Sequence, residues 1–584
     1  MNSSLRQLLP FCFCFAATFL AAPSSRQPLQ SAPSFPVIFT DIAPQAGLTR
    51  PIVYGGVETK RYIIETNGCG VAFYDYDNDG WMDIFVMSGR RLEQDRDREE
   101  ATNRLYRNNR NGTFTDVTKQ AGIERTGWAS ALCIGDYDND GFDDLFLTYW
   151  GQNVLYRNQT ARGGKGAFTD VTEKSGLSFK ETRWGSGCSF LDYDRDGDLD
   201  LFVANYLSFD LANAPAPGKG VNCTWKGIPV NCGPKGLPFA RNWLYRNDGG
   251  KFTDVSEPSG IAKIRERYPM SVAAADFDQD GWVDLYVACD STASILYRNN
   301  GLSVGEGAFT DVALESGAAY NEDGNPQAGM GLGIGDYDRD GRLDIFKTHF
   351  ADDTHILYRN LSAGAGKMSF EDVTMASGFG AQTQFVSWGA GMPDLDNDGW
   401  PEVVFVTGNV YPEVEKHFKQ YAYRGPRLVF RNLGNGKFLD VTKQCGEGVN
   451  APHTSRGAAF GDFDNDGDVD ALVMNMNEPP SLLRNDYAGK NNWLKVKTVG
   501  VKSNRTGLGA RVVVTSGNRK QAQAVLSQTS YYSHDDLRLH FGLGANSKAD
   551  QIEIFWPSGQ VDALKNVAAN RLITVKEGSG VIKN

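Results

Sequence analysis

Basic residues are in the minority in this chain of 584 residues. Lysine and arginine together number 59 against 71 aspartates and glutamates, and the formal net charge is −12. A nucleic-acid partner requires a basic stripe that faces the phosphates, so this charge balance argues against such a partner. The hydrophobic share of 41%, with 11% aromatic residues, is typical of a folded globular protein and excludes a disordered acidic tail.

Long hydrophobic runs are missing beyond the N-terminus. The opening segment, MNSSLRQLLPFCFCFAATFLAAPSS, places Arg6 before an apolar run and ends in small residues, which is typical of a secretory signal. The run is shorter than the roughly 18–20 residues that a membrane-spanning helix needs. We therefore predict that residues 1–24 are a signal peptide, that the mature chain has no transmembrane segment, and that it is secreted, either periplasmic or extracellular.

Cysteine is sparse. Nine cysteines, of which Cys12 and Cys14 lie in the predicted signal, leave an odd number in the mature chain, which excludes a dense disulfide framework. Cys223 and Cys232, in NCTWKGIPVNC, close a short loop and are predicted to pair in an oxidising compartment. The cysteines that stand just ahead of acidic loops in apolar surroundings are predicted to be buried thiols, and these are Cys69, Cys133 and Cys188.

One acidic phrase is abundant. It appears first as DYDNDGWMD and recurs six more times with a period of about 60 residues. Two further phrases keep the same period: FTDV or a relative comes before each acidic loop, and LYRN or a relative comes after it. Three phrases kept in register through seven copies indicate a repeat architecture. The acidic copies begin at Asp75, Asp136, Asp192, Asp276, Asp336, Asp394 and Asp462.

The residues between these phrases have the character of β-strands. Apolar runs with β-branched and aromatic residues, such as DIFVMS and DLFLTYW, follow the acidic loops. Runs rich in glycine, alanine and serine precede the loops, and small side chains suit the innermost strand of a blade, where space narrows toward an axis. About 60 residues accommodate four strands, and seven such units fit a seven-bladed β-propeller. An open β-solenoid is the competing architecture.

The predicted fold class is therefore all-β, a seven-bladed propeller followed by a small β domain. The propeller is predicted to span residues 35–488. Its seventh unit has no FTDV phrase after it, whereas residues 39–42 carry an FTDV-like phrase ahead of all the others, so we expect that segment to complete the seventh blade and remove an exposed edge. Residues 490–580 alternate β-type runs with Gly and Asn turns, which predicts a small all-β domain such as a sandwich.

Each acidic loop offers oxygen ligands at fixed positions. Side chains at positions 1, 3, 5 and 9, a glycine at position 6 and a backbone carbonyl at position 7 match the leading positions of a calcium loop. Position 12 of the first copy is Val86, within a predicted strand, so the site is a strand–loop–strand site and not an EF-hand. Magnesium is the weaker candidate because it keeps its waters and demands stricter geometry. Plain solvated acidic turns would not require four oxygens at fixed offsets in every copy.

We predict about seven Ca²⁺ sites, which would change the formal charge from −12 to about +2 (−12 + 14). The predicted ligands are Asp75, Asp77, Asp79, Trp81 and Asp83; Asp136, Asp138, Asp140, Phe142 and Asp144; Asp192, Asp194, Asp196, Asp198 and Asp200; Asp276, Asp278, Asp280, Trp282 and Asp284; Asp336, Asp338, Asp340, Arg342 and Asp344; Asp394, Asp396, Asp398, Trp400 and Glu402; and Asp462, Asp464, Asp466, Asp468 and Asp470.

These phrases resemble a known family. The repeats resemble the FG-GAP/VCBS repeats of integrin-type α-subunit propellers, in which such loops bind calcium. The segments at 491–512, SYYSHDDLRLHFGLG (530–544) and IEIFWPSG (552–559) resemble the ASPIC/UnbV domain. A propeller followed by this tail is the plan of the cartilage acidic protein family, which has many secreted bacterial members. The resemblance covers about residues 35–580, and Glu402 departs from the usual final aspartate, although glutamate can still ligate.

Two repeat units carry inserts. The third unit has about 35 extra residues that contain the two paired cysteines, and the sixth has GNVYPEVEKHFKQYAYRGPR (408–427). Loops that project from a rigid scaffold often carry recognition. The candidate ligand surface of the sixth insert consists of Tyr411, His417, Tyr421 and Tyr423.

Two classes of function remain open. The first is a secreted calcium-dependent binding or cell-adhesion module that recognises an extracellular protein or glycan. The alternative is an enzyme, for instance a glycan-active one, with a site in the propeller channel. None of the six histidines stands in a HExxH zinc helix, and no GxSxG elbow or other catalytic motif is evident. His349 and His453, in the fifth and seventh units, are the residues that could face a shared channel.

Overall fold

The computed structural model describes residues 34–92, 101–160, 168–301, 307–364 and 366–582. The predicted signal peptide lies outside these ranges. Among the described residues, no helix has both the length and the apolar character that crossing a bilayer requires.

Seven four-stranded antiparallel sheets form the blades of a propeller, numbered here by their acidic loops. The innermost strands are Val71–Tyr74, Trp128–Gly135, Gly185–Leu191, Pro269–Ala275, Leu332–Gly335, Ser387–Gly391 and Ser455–Gly461. The second strands are Asp83–Val86, Asp144–Trp150, Asp200–Asn205, Asp284–Cys289, Asp344–Lys347, Val403–Thr407 and Asp470–Asn475. The third strands are Arg104–Asn108, Val154–Asn158, Trp243–Asn247, Ile295–Asn299, Ile356–Asn360, Leu428–Asn432 and Ser481–Asn485. The outer strands are Phe114–Asp116, Phe168–Asp170, Phe252–Asp254, Phe309–Asp311, Phe370–Asp372, Phe438–Asp440 and, for the seventh blade, Phe39–Asp41.

The two ends of the propeller sequence share the seventh blade. Phe39 pairs with Asn485 and Asp41 with Leu483 in antiparallel register. The N–H of Ile42 also donates to the carbonyl of Leu482 at 2.9 Å. The N-terminal strand thus covers an edge that would otherwise be open for pairing with another chain.

Short helical turns follow several of the outer strands, and the aspartate of each FTDV phrase forms a side-chain turn just before them. In the first blade, Asp116 Oδ1 accepts the N–H of Thr118, two residues on, at 3.0 Å. The helix then ends at Gly122, whose φ of 72° is left-handed. The one-turn α-helices are Ala43–Ala46, Thr118–Ala121, Ala313–Ser316, Thr374–Ser377 and Glu447–Asn450. The 3₁₀ turns are Ile63–Glu65, Ile261–Lys263, Phe379–Ala381, Val414–Lys416, Lys419–Tyr421 and Thr442–Gln444.

The tail folds into two further four-stranded sheets whose apolar faces share a core with the propeller. The first sheet contains a parallel pair, Asn492–Val499 with Leu572–Lys576. Its other strands are Leu539–Gly544 and Gly580–Ile582, and the second sheet consists of Arg511–Ser516, Arg519–Ala524, Lys548–Phe555 and Val561–Ala568. The predicted fold class, a seven-bladed propeller followed by a small β domain, is confirmed.

A segment of the tail, residues 527–536, fills the axis of the propeller; we call it the plug. Backbone N–H groups of the innermost strands of six blades donate to it over 2.8–3.4 Å, and in the sixth blade the Trp388 ring lies 5.0 Å from the ring of Tyr531. Since one short segment touches all seven blades, it lies where they converge. The donors are Val71, Phe73, Leu132, Ile134, Phe190, Val272, Leu332 and Phe460.

The small residues of the innermost strands are explained by this crowding. A Cβ atom on Gly70 would lie 1.8 Å from the carbonyl oxygen of Tyr532, and one on Gly331 would lie 2.0 Å from the carbonyl oxygen of Trp388. Glycine is therefore required where the plug or the next blade approaches the strand.

The two inserts meet at the end of the axis opposite the acidic loops. The insert of the third blade contains a short ribbon, Thr224–Trp225 with Ile228–Pro229, and a disulfide joins Cys223 to Cys232. The ring of Trp225 lies 4.7 Å from that of Tyr421 in the sixth-blade insert. Cys69, Cys133 and Cys188 are buried free thiols.

Candidate metal centres

Each acidic loop is a tight turn organised by its own first aspartate. In the second loop, Asp136 Oδ1 accepts the N–H of Asp140 at 2.9 Å and Oδ2 accepts that of Gly141 at 2.7 Å. Two left-handed residues make the turn possible, Asn139 with φ of 56° and Gly141 with φ of 97°. The N–H of the sixth-position glycine donates to the first aspartate in all seven loops.

The ninth-position carboxylate ties the loop to its blade. Asp144 Oδ2 accepts the N–H of Tyr137 at 3.1 Å, and Oδ1 accepts that of Asn158 at 2.7 Å. The same two bonds occur in every blade, and in the sixth they are made by Glu402. A carboxylate oxygen has two lone pairs, so these bonds leave capacity for a cation.

The side chains at the first, third and either fifth or ninth positions converge. In at least five of the described loops, three carboxylates each offer an oxygen such that all lie within 4.8 Å of one another, a spacing that could hold a metal ion. These groups are Asp75, Asp77 and Asp83; Asp136, Asp138 and Asp144; Asp192, Asp194 and Asp196; Asp276, Asp278 and Asp284; and Asp336, Asp338 and Asp340.

Several of these carboxylates have one oxygen with no partner. Arg157, the arginine of LYRN in the second blade, binds Asp138 Oδ2 at 2.5 Å, while Asp138 Oδ1 is buried without a hydrogen bond. Buried acceptors are normally satisfied, and leaving one unpaired is costly. A hard cation in the loop would satisfy these oxygens, so the residues present fit such an ion. The unpartnered atoms are Oδ1 of Asp77, Asp138, Asp192, Asp194, Asp338, Asp394 and Asp464.

Burial, together with repulsion between the carboxyl groups, raises their pKa values. Burial, followed by repulsion from Asp196 and Asp194, raises the pKa of Asp192 to about 7. Burial and then Asp280 and Asp278 raise the pKa of Asp276 to about 7. Two negative charges in one buried site disfavour ionisation unless a positive charge joins them.

In metal-free buffer, the free energy of unfolding is expected to increase as the pH falls from about 8 to 5. The raised pKa values of about 7 for Asp136, Asp192, Asp276 and Asp336 lie above the roughly 3.9 of an exposed aspartate. The folded chain therefore binds more protons between these limits, and this stabilisation, complete below about pH 4, is lost as the pH rises through 7. Melting temperatures measured between pH 5 and 8 check the sign, and a melting temperature that climbs with pH would contradict it.

The fourth-position side chain links each loop to the next around the ring. Asn78 Nδ2 donates to the carbonyl of Gly141 at 2.8 Å, and Asn465 Nδ2 donates to that of Gly80 at 3.2 Å, which joins the seventh loop to the first. Equivalent bonds run from Asn139, Arg195, Gln279 and Asn397. In the fifth loop Arg339 instead covers the ring of Trp400 at 4.2 Å.

The asparagine of LYRN provides a second set of links that sequence reasoning missed. In every blade its Nδ2 donates over 2.8–3.0 Å to the second-position carbonyl of the preceding loop, as Asn360 does to Phe277. Its own N–H holds the ninth-position carboxylate of its blade, as Asn360 does with Asp344 at 2.8 Å. The asparagine is present in every copy of the LYRN phrase, and this constancy was the sequence signal that it links neighbouring blades.

The tail domain rests on the acidic loops. Lys495 Nζ forms a buried ion pair with Asp462 Oδ2 in the seventh loop. Thr506 Oγ1 accepts the N–H of Asp136 at 3.0 Å, and the N–H of Ala522 donates to Asp336 Oδ2 at 3.1 Å. Any ion bound in these loops therefore lies beneath the tail domain.

The remaining predicted site residues fall into two groups. Tyr411 is buried and Tyr421 Oη donates to Asp352 at 2.7 Å, and both rings flank Trp225. His417 is exposed, and Tyr423 is half-buried and receives a backbone hydrogen bond from Asn409 at 3.0 Å. The structure thus joins Tyr411 and Tyr421 to the other insert.

The two histidines considered for a channel site have separate partners. His349 is completely buried, and its backbone carbonyl accepts the N–H of Ser387 at 3.0 Å. His453 Nδ1 lies 2.6 Å from Glu478 Oε2. The channel axis itself is filled by the plug.

Comparison with known proteins agrees with this architecture. The tail matches the ASPIC and UnbV model over 500–582. The FG-GAP-like repeat model matches more than half of the chain, over 75–147, 136–203, 236–287, 276–346 and 394–473. Cartilage acidic protein 1 of Mus musculus is 24% identical over 545 residues, covering 87% of this chain and 73% of its own length.

The chain belongs to the cartilage acidic protein family. The family predicted from the sequence is thereby confirmed. Cartilage acidic protein 1 of Xenopus tropicalis is 27% identical over 519 residues, covering 84% of this chain and 70% of its own. A solved Agrocybe aegerita lectin aligns with this family member over 71% of the chain and 87% of the lectin, with 16% identity and a TM-score of 0.34, too distant a likeness to inform function.

Proposed function

We propose that this FG-GAP protein is a secreted, periplasmic or extracellular, calcium-binding propeller that acts as a binding or adhesion module for an extracellular protein or glycan. The calcium assignment is supported above all by the buried carboxylate oxygens of the acidic loops that have no hydrogen-bond partner. Ca²⁺ takes six to eight oxygen ligands in flexible geometry, which suits loops that offer four carboxylates and a backbone carbonyl.

The binding surface is proposed to lie at the end formed by the two inserts. The tail domain covers part of the acidic-loop end through contacts such as Lys495 with Asp462, which leaves less of that end open to a partner. The opposite end carries Trp225, Tyr411 and Tyr421 on two loops that project from different blades. Aromatic residues on loops held by a rigid scaffold are a common basis of recognition.

Calcium titration followed by calorimetry is expected to give about seven ions per chain. Asp138→Asn keeps the shape of the side chain but removes a ligand charge, so it should lower the stoichiometry by about one or weaken one site at least tenfold. Asp323→Asn, on an exposed turn, is the matched control and should leave the titration unchanged. A wild-type stoichiometry of zero would overturn the proposed calcium role. Capture of secreted proteins or glycans with and without calcium then tests the binding role.

A further inference from the structure

A cavity of about 310 Å³ lies at the insert end of the propeller axis. Its walls come from segments that precede innermost strands or follow second strands, among them Asn67, Asp290 and Asp353. Those segments lie at the opposite end of each blade from the acidic loops, so this cavity is separate from the candidate metal centres. Its volume is at the lower end of the range of about 300–1,000 Å³ typical of small-ligand pockets.

One side of the cavity is aromatic. The ring of Trp225 lies 6.0 Å from that of Phe350 and 6.2 Å from that of Tyr411, and all three residues line the space. Trp225 is only half-buried although Tyr421 and Lys226 pack on it. Aromatic side chains in such settings present an apolar face to a ligand while their polar edges remain available for hydrogen bonds.

Polar side chains also line the cavity, among them Asn67, Lys235, Ser291 and Gln327. Lys235 is exposed, so its ammonium group is free to donate hydrogen bonds to a ligand. A ligand that carries both donors and acceptors is therefore matched to this lining.

The charges of the cavity restrict the class of ligand. Asp290 and Asp353 face a single lysine, Lys235, so the lining has a formal charge of −1 and disfavours an anion such as a carboxylate or a phosphate. The carboxylates are partly satisfied already, since Asp290 accepts from Tyr206 Oη at 2.6 Å and Asp353 accepts from the N–H of Ala328 at 3.3 Å. They do not require a cation, and they keep lone pairs for hydroxyl donors.

We propose that this cavity binds a neutral monosaccharide, either free or as the terminal unit of a glycan. A sugar ring has an apolar face for Trp225, together with hydroxyls that can donate to Asp290 and Asp353 and accept from Lys235. The inference rests on the proposed binding function and adds to it a site and a class of ligand.

Saturation-transfer NMR with D-glucose, D-galactose, D-mannose and L-fucose, each at millimolar concentration and in calcium, tests the proposal. At least one sugar is expected to bind, and Trp225→Ala and Asp353→Asn should each weaken its binding at least tenfold. Asp323→Asn is the matched control, because Asp323 is exposed on a turn and does not line the cavity. A glycan array that displays the same sugar as a terminal unit distinguishes a free ligand from a glycan terminus.

Absence of binding by all four sugars would overturn the proposal, and so would unchanged binding in both cavity variants. Near-UV circular dichroism shows whether the variants fold, and should Trp225→Ala not fold, the isosteric Asp353→Asn carries the test. The calcium titration separates the two failures. If calcium binds at about seven sites and no sugar binds, the sugar inference alone is wrong, whereas a chain that binds no calcium refutes the proposed function first.

Discussion

Removal of calcium is expected to lower the melting temperature of the protein more than any single substitution does. A site held tenfold above its dissociation constant stabilises the folded state by about 1.4 kcal/mol. Seven independent sites would contribute on the order of 10 kcal/mol, which is comparable with the whole stability of an ordinary domain. Ion removal would also leave unpartnered oxygens such as Asp77 Oδ1 and Asp338 Oδ1 in buried positions.

Differential scanning calorimetry in 1 mM calcium and in excess chelator at pH 7.5 measures the effect. Magnesium added back at the same concentration is the control for charge alone, and it should restore only a small part of the loss because Mg²⁺ demands stricter geometry. Identical melting curves with and without chelator would show that the acidic loops hold no stabilising ion.

Substitution of Gly70 by alanine is expected to displace the plug. The new methyl group would lie 1.8 Å from the carbonyl oxygen of Tyr532, and that same oxygen accepts the N–H of Leu132 at 3.1 Å. Overpacking in a core typically costs about 1–3 kcal/mol, and each buried N–H that loses its partner costs about 1–3 kcal/mol more. We therefore expect a loss of several kcal/mol and a tail that proteases can reach.

Limited chymotrypsin digestion followed by mass spectrometry reads out this displacement. Cleavage should appear after Tyr531 or Tyr532, both of which are fully buried in the wild-type chain. Gly233→Ala is the control, because its nearest atom is 4.0 Å away and its backbone is not left-handed. If the Gly70→Ala variant resists digestion as the wild type does, the plug does not depend on this close approach.

Most of the fold could be predicted from the repeat phrases. The number of blades, the position of the acidic turns and the strand order follow from phrases whose residues contact their own blade, as Asp144 contacts the N–H of Tyr137. Local chemistry of this kind repeats with the sequence, so the sequence displays it directly. The assignment of calcium ligands remains a prediction, supported by converging carboxylates.

The contacts between units could not be predicted in the same way. The fourth-position linker is Asn78 in one loop, Arg195 in another and Gln279 in a third, so a common role is hidden behind different side chains. The plug sequence SQTSYYSHDD (527–536) has no regular apolar period. The hydrogen bonds of its side chains go to strands that lie between 75 and 462 residues away. Only the assembled ring brings those strands together.

The pairing of Phe39–Asp41 with Ser481–Asn485 constrains the order in which strands of the propeller can pair during synthesis. The first strand of the propeller to leave the ribosome is among the last to acquire a partner, because Asp41 meets Leu483. At 5–20 residues per second, synthesis of the intervening chain takes roughly 20–90 s. Ring closure therefore cannot begin until Ser481–Asn485 has been synthesised, and a nascent chain must carry an unpaired strand through most of its elongation.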